Sequence, residues 1–210
     1  MLKFDFNPDE LKIINNEIDY NKLDDHELHS VVDVQKDLIS KLMNLAARDS
    51  LTELYNNISV KNLVEQALNN DSESVHYFLF IDIDNFKYIN DNFGHMFGDS
   101  VLYDFARQLT VICKDTDSII GRVGGDEFIV MLKNSDEEQV KLIALKICNA
   151  FDEICSGNLC TAVSCSVGIS KYPDDSVSYT VLKEYADKAL YRSKRGGKNC
   201  YSMFDKEKDL

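Results

Sequence analysis

The sequence has no apolar run long enough to cross a membrane; its longest apolar stretches are strand-sized, against the ~20 residues a spanning helix needs. Its first residues, Met1-Leu2-Lys3-Phe4-Asp5-Phe6, lack the basic-then-apolar order of a signal peptide. No internal repeat or low-complexity tract is visible. The six cysteines (Cys113, Cys148, Cys155, Cys160, Cys165 and Cys200) show no C-x-x-C spacing. Most fall in apolar runs, where a thiol packs as a small hydrophobe. A reduced, cytoplasmic protein is therefore expected. Cations are scarce: 23 Lys and Arg against 36 Asp and Glu give a formal net charge of -13. That argues against a nucleic-acid partner, because phosphate backbones are held by clustered Lys and Arg. Any anionic ligand must be met by local cations or by a metal ion.

What is present is ample for a core. The 210 residues, 44% of them apolar, suit one ordinary domain plus a small appendage. Asn7-Pro8-Asp9-Glu10 reads as a helix start, with a capping Asn, Pro at the first helical position and Glu three after the cap. Leu11, Ile14 and Ile18 continue it. After an interruption at 21–25, a second helix is expected over 25–47. Its stripe of Val31, Val34, Leu38, Leu42 and Leu45 suits a short coiled coil or a helix lying on its own domain. Residues 1–47 thus form an N-terminal helical segment and 48–210 the main domain.

Further along, helices are expected over 58–69, from Gly98-Asp99 to about 114, from a Ser135/Glu138 capping box to about 154, and over 178–195 up to Gly196-Gly197. Strands are expected over 76–83, over 161–169 and, in a short last run, over 198–204. At 118–132 two apolar runs flank Gly124-Gly125-Asp126-Glu127, the pattern of a β-hairpin with carboxylates at its tip. The alternation predicts an α/β sandwich: a ferredoxin-like sheet of about five strands backed by helices, with an N-terminal helical extension. The strand 76–83 ends in a second acid cluster, Asp82-Ile83-Asp84. Were that strand and the hairpin sheet neighbours, the two clusters would meet. Acids at the rim of an apolar sheet are costly unless something cationic faces them.

Gly124-Gly125-Asp126-Glu127-Phe128 spells the signature of the GGDEF family, the diguanylate cyclases. It is joined in the expected order by Asp49-Ser50-Leu51-Thr52, by IDIDNFKYINDNFGHMFGDSVL from Ile81, by Ser166-Val167-Gly168-Ile169 and by ADKALYRSKRGGKN from Ala186. The chain resembles that family from about residue 47 to 204.

The resemblance implies condensation of two GTP molecules into cyclic di-GMP with release of two pyrophosphates, one GTP held by each protomer of a homodimer. It implies Mg²⁺, with Mn²⁺ as an alternative, held by Asp82, Asp126 and the carbonyl of Ile83, with Glu127 assisting; hard oxygen ligands suit Mg²⁺. Asp126 is also implied as proton acceptor. Backbone N–H groups of Asn85, Phe86 and Lys87 would cradle phosphate, and the Lys87 side chain would stabilise the transition state. Asn90 and Asp99 would read guanine, although Asp99 also suits a helix N-cap before Val101. His95 would contact substrate, and Lys194 and Lys198 would bind the triphosphate. Arg192 and Arg195 read instead as solvated helix-end cations.

The chain departs from the family pattern in three respects. Glu53 and Asn57 stand where it often has Gly and Arg. Asp115 and Ser118 occupy the places of the Arg and Asp of its inhibitory R-x-x-D product site, so that site is expected to be absent. Lys198 stands in place of arginine, keeping the charge but losing the bidentate fork. Two other functions compete with the cyclase: a catalytically silent GTP-binding or interaction module, and a cyclase of the same fold making a mixed cyclic dinucleotide. No sensor segment is recognisable before the cyclase block, so an upstream sensor protein or constitutive activity is expected.

Overall fold

A computed structural model describes residues 6–71, 73–150, 154–156 and 159–209. The chain opens with α1 (Pro8–Ile14) and α2 (Asp25–Ala46). Asn7 and Glu10 form the expected reciprocal cap on α1. Asp24 and Glu27 do the same for α2, each box satisfying backbone donors that a helix start leaves open. α1 lies along α2, Lys41 pairs with the buried Glu10, and Leu38 is buried. Leu28, Val32, Ile39 and Leu42, on another face of α2, are exposed. No helix among the described residues is long and apolar enough to cross a membrane.

The domain follows as α3 (Asn57–Asn70), β1 (His76–Ile83), α4 (Phe86–Phe93), α5 (His95–Ile112), β2 (Ser118–Arg122), β3 (Glu127–Leu132), α6 (Glu137–Cys148), β4 (Ile154–Ser156), β5 (Leu159–Thr161), β6 (Cys165–Tyr172), α7 (Tyr179–Arg195), β7 (Tyr201–Met203) and α8 (Lys206–Asp209). Five strands make one sheet in the order β2-β3-β1-β6-β7, and β4-β5 is a separate ribbon. β1 is central and antiparallel to both neighbours, while β6 and β7 run parallel.

The sheet is covered on both faces, which is why β1 is buried along its whole length. Tyr77, Leu79, Ile81 and Ile83 pack with Phe97, Val101, Phe105 and Leu109 of α5 and with Val140 and Ile143 of α6. Phe78 and Phe80, on the other face, pack with Val60 and Val64 of α3 and Tyr179, Leu182, Ala186 and Leu190 of α7. Because side chains alternate along a strand, Asp82 is in phase with Phe78 and Phe80 and therefore emerges on the α7 side.

Several boundaries differ from expectation for local reasons. α5 begins at His95, three residues before Gly98, with Gly94 as a cap that offers no side chain. Asp99 consequently sits inside the helix and is not its N-cap. α6 is capped by Asp136, which accepts from Gln139 N–H, whereas the Ser135 hydroxyl donates to the Lys133 carbonyl. α6 ends at Cys148; residues 151–153 of the longer helix expected there lie outside those described. The single strand expected over 161–169 is two, β5 and β6, and Cys160 is disulfide-bonded, unlike the fully reduced state expected. At Glu53, where the family often has Gly, the backbone is left-handed with φ 61°, so the turn conformation is kept and the strain of a Cβ is accepted.

The seating of α7 on β6 depends on one missing side chain. A Cβ on Gly168 would lie 1.9 Å from the Ala186 carbonyl oxygen and 2.2 Å from the Leu190 nitrogen. Both obstacles are helix backbone, which cannot give way without lifting the helix. Gly168→Ala should therefore destabilise the domain by about 2–3 kcal/mol in denaturant unfolding; an unchanged midpoint would refute this account of the seating.

Candidate active site

Two turns meet at one end of the sheet. β1 and β3 are paired in a register that sets Asp82 directly opposite Glu127, which places their Cα atoms about 4.5–5.5 Å apart. The pairing continues one step further, with Ile83 N–H donating to the Asp126 carbonyl at 3.3 Å. Three acids are thus gathered where the chain would otherwise avoid like charges across strands. Burial pushes the Asp82 carboxyl above its ordinary range. The Lys194 ammonium, 2.7 Å from Asp82 Oδ2, opposes that rise, while the charges of Asp126 and Glu127 add to it.

The donor set is oxygen-rich and carries more negative charge than its one ion-paired lysine offsets, which fits a hard divalent cation. As the side chains stand, no three of the described His, Cys, Asp and Glu residues converge into a metal-holding group. The glycines keep the tip narrow. The Glu127 carboxylate lies over Gly124, where a Cβ would come within 2.6 Å of Oε2, and nothing stands within 4 Å of the corresponding position on Gly125.

The second turn follows β1. Asn85 is left-handed, with φ 57°, and begins α4 without giving its side chain to the helix. Asn is among the residues that tolerate this conformation. The first-turn N–H groups of α4, which include those of Phe86 and Lys87, point out of the helix start, a geometry suited to anions. The Asn85 side chain accepts instead from Lys198 Nζ at 2.5 Å. Lys198 reaches it from a run of three left-handed residues, Gly197, Lys198 and Asn199.

The remaining expected residues divide. Asn90 fills the crossing of α4 and α5: a Cβ on Gly98 would stand 1.9 Å from its Oδ1. The Asn90 amide therefore lies beside Gly98, the residue preceding Asp99, while Asp99 itself is exposed. His95 and Lys87 are exposed on the same pair of helices. Arg192, expected to be solvated, is not: it pairs with the buried carboxylate of Asp209 at 2.8 Å and donates to the Met203 carbonyl. That contact ties α8 to α7, helped by Tyr185 stacked on Phe204 at 4.0 Å.

Two residues that shape the site are absent from the sequence-based set. Asp84 is buried and accepts from the Ser164 and Ser166 hydroxyls, each at 2.7 Å, and from Asn199 N–H at 3.0 Å. It thereby ties the Lys198 turn to the end of β1. Arg122 donates to the Gly125 carbonyl through both Nε and Nη2, at 3.1 and 2.7 Å, and pairs with Asp49 at 3.0 Å. Asp49 also accepts from the amide and hydroxyl of Thr52. The only signal for Asp84 was its place in Asp82-Ile83-Asp84, and for Arg122 its place two residues before Gly124.

The family model described as "Diguanylate cyclase, GGDEF domain" matches residues 46–200. The chain is 33% identical over 168 residues to the cyclic di-GMP phosphodiesterase PdeR of Escherichia coli, covering 80% of this chain and 25% of that protein. It is 33% identical over 195 residues to diguanylate cyclase A of Treponema denticola, covering 83% and 52%. Thus it spans a quarter of one relative's length and about half of the other's. The crystal structure of the coiled coil and GGDEF domain of DgcB from Caulobacter crescentus, in complex with c-di-GMP, shares the fold with a TM-score of 0.77. That match has 24% identity and covers 85% of this chain and 96% of that one. A sheet with acids gathered at one end and a helix-start turn beside them defines an α/β domain of the nucleotide-cyclase type. The chain belongs to the GGDEF family.

The Arg122 brace yields a stability prediction. Burial pushes the Asp49 carboxyl up, but the two Thr52 hydrogen bonds and Arg122 outweigh it and hold the group below its ordinary value. Such a contribution is complete above the unfolded pKa of about 4 and is lost as pH falls through the lower native value. Arg122→Ala should cost about 1–3 kcal/mol at neutral pH. The gap to the wild type, followed by urea unfolding, should narrow as the solution is acidified below about pH 4. A gap independent of pH would remove the Asp49 contact from the explanation.

Proposed function

We propose that this chain is a diguanylate cyclase that condenses two GTP molecules into cyclic di-GMP and two pyrophosphates, each protomer of a homodimer presenting one nucleotide. The observation that carries the reading is the meeting of Asp82, Asp126 and Glu127 at one sheet end beside the Asn85 turn. In this reading Asp82, Asp126, the Ile83 carbonyl and Glu127 hold Mg²⁺, or Mn²⁺ in its place. When bound, the metal supplies Lewis-acid activation of the attacking hydroxyl and charge neutralisation at the phosphate.

The chain's own groups do the rest. Asp126 accepts the proton of the 3′-hydroxyl. The amides of Asn85, Phe86 and Lys87 hold phosphate oxygens, and the Lys87 ammonium offsets charge that builds in the transition state. Asn90 and Asp99 pair with the guanine edge, where an adenine would leave buried polar groups without partners. His95 contacts substrate, and Lys194 and Lys198 bind the triphosphate. Asp115 and Ser118, in place of the R-x-x-D pair, leave the enzyme without inhibition by product at that site.

The segment 1–47 is read as the dimerisation and regulatory part. Leu28, Val32, Ile39 and Leu42 are exposed at 41, 40, 53 and 43%. They follow a three-to-four-residue spacing, with Gln35 between Val32 and Ile39, along the face that α1 does not cover; this suits a second copy of the helix. The signal itself would come from an upstream sensor protein.

A second reading is a GTP-binding module without turnover, against which the retained Asp82, Asp126 and Glu127 weigh. Incubation with GTP and Mg²⁺ across protein concentrations, with products identified by mass, separates the two. Cyclic di-GMP should form at a rate per protomer that rises with concentration. Asp126→Asn should reduce turnover by about 100-fold or more while leaving the unfolding curve in place. Tight GTP binding with no pyrophosphate release would establish the silent module instead, and adenine in the product would mean a mixed-dinucleotide cyclase.

A further inference from the structure

Lys194 is assigned above to the triphosphate, yet its ammonium lies 2.7 Å from Asp82 Oδ2, the oxygen of a residue assigned to the metal. The two assignments compete for one place. An ammonium and a divalent cation on the same carboxylate oxygen would repel each other strongly in a site this sheltered; the Asp82 side chain is 13% exposed. Two other cations near this end of the sheet are engaged. Arg192 is held by Asp209 and the Met203 carbonyl, and Lys198 by Asn85.

Lys194 itself can move. It stands in the last turn of α7, on a four-carbon stem, with its side chain 35% exposed. It also borders an open cleft of about 760 Å³ beside α7 and α8, lined by Lys188, Arg195 and Lys208 among others. Leaving Asp82 therefore requires a rotation of one side chain and no repacking of the core.

We propose that Lys194 is a built-in counter-ion of the acid cluster, displaced from Asp82 by the divalent cation and taken up by the polyphosphate of the nucleotide. The site then accepts metal and nucleotide together more readily than either alone. This rests on the reading of Asp82 as a metal ligand. The acid cluster explains why a counter-ion is required at all: Asp126 in the turn before β3 and Glu127 at its start act on Asp82, and Lys194 is the group facing it from α7. Coupling of this kind is reciprocal, so nucleotide must tighten metal binding by the same factor that metal tightens nucleotide binding.

The test is Mn²⁺ affinity of the full chain without nucleotide, read from the electron paramagnetic resonance signal of unbound Mn²⁺. Lys194→Gln should bind Mn²⁺ about tenfold more tightly than the wild type, a factor equivalent to about 1.4 kcal/mol, and Lys194→Met should behave alike. Lys194→Arg, which keeps the charge, should stay near the wild type. In calorimetry with a non-hydrolysable GTP analogue, the mutual tightening seen for the wild type should shrink in Lys194→Gln. The proposal is overturned if the neutral variants bind Mn²⁺ no more tightly, or if Lys194→Arg gains as much as they do. Adding Asp82→Asn to Lys194→Gln tells the two levels apart. If Mn²⁺ binding survives it, Asp82 is not the ligand and the parent reading fails. If binding is lost while Lys194→Gln alone shows no gain, only the counter-ion role fails.

Discussion

Three carboxylates at the rim of an apolar sheet, Asp82 on β1, Glu127 at the start of β3 and Asp126 in the turn just before it, are the constraint from which the rest of the site follows. A cross-strand pair of like charges is unfavourable, and burial of Asp82 makes it more so. The fold surrounds this arrangement with groups that make it tolerable. Lys194 meets Asp82 from α7, and the separate acid Asp84 is satisfied by two hydroxyls and an amide rather than by a cation. The sheet is therefore organised with charge of one sign at one end, held by hydrogen bonds at Asp84 and met by a local cation, Lys194, at Asp82. The acidity of the whole chain, at -13, gives this local supply of cations its importance, since the remainder of the surface offers a polyanion little attraction.

Much of this was readable before any coordinates. β1 stands at 76–83 as expected, because its apolar run is long enough to be buried on both faces and ends abruptly in acids. The α1 cap follows from Asn7, Pro8 and Glu10. The hairpin at 118–132 was marked by two apolar runs around a glycine pair. These features are local, and local patterns survive in the linear text.

What could not be read is what the chain assembles from afar. The hydroxyl partners of Asp84 lie 80 and 82 residues away, and Asp49 is 73 residues from Arg122. No spacing rule links such pairs. Other differences arose where two residues could serve equally. Ser135 and Asp136 both suit a helix cap, and the choice fell to the carboxylate that reaches Gln139 N–H. α5 starts at a glycine with no capping side chain, so its true beginning carries no polar signature.

Arg122 has a mechanical consequence. Its guanidinium joins the residue that follows α2 by three positions to the carbonyl that precedes Asp126. The planar group works as a strut, braced at Asp49 and bearing on Gly125. The exit of α2 and the signature loop are thus joined by a polar contact that lies apart from the hydrophobic interior.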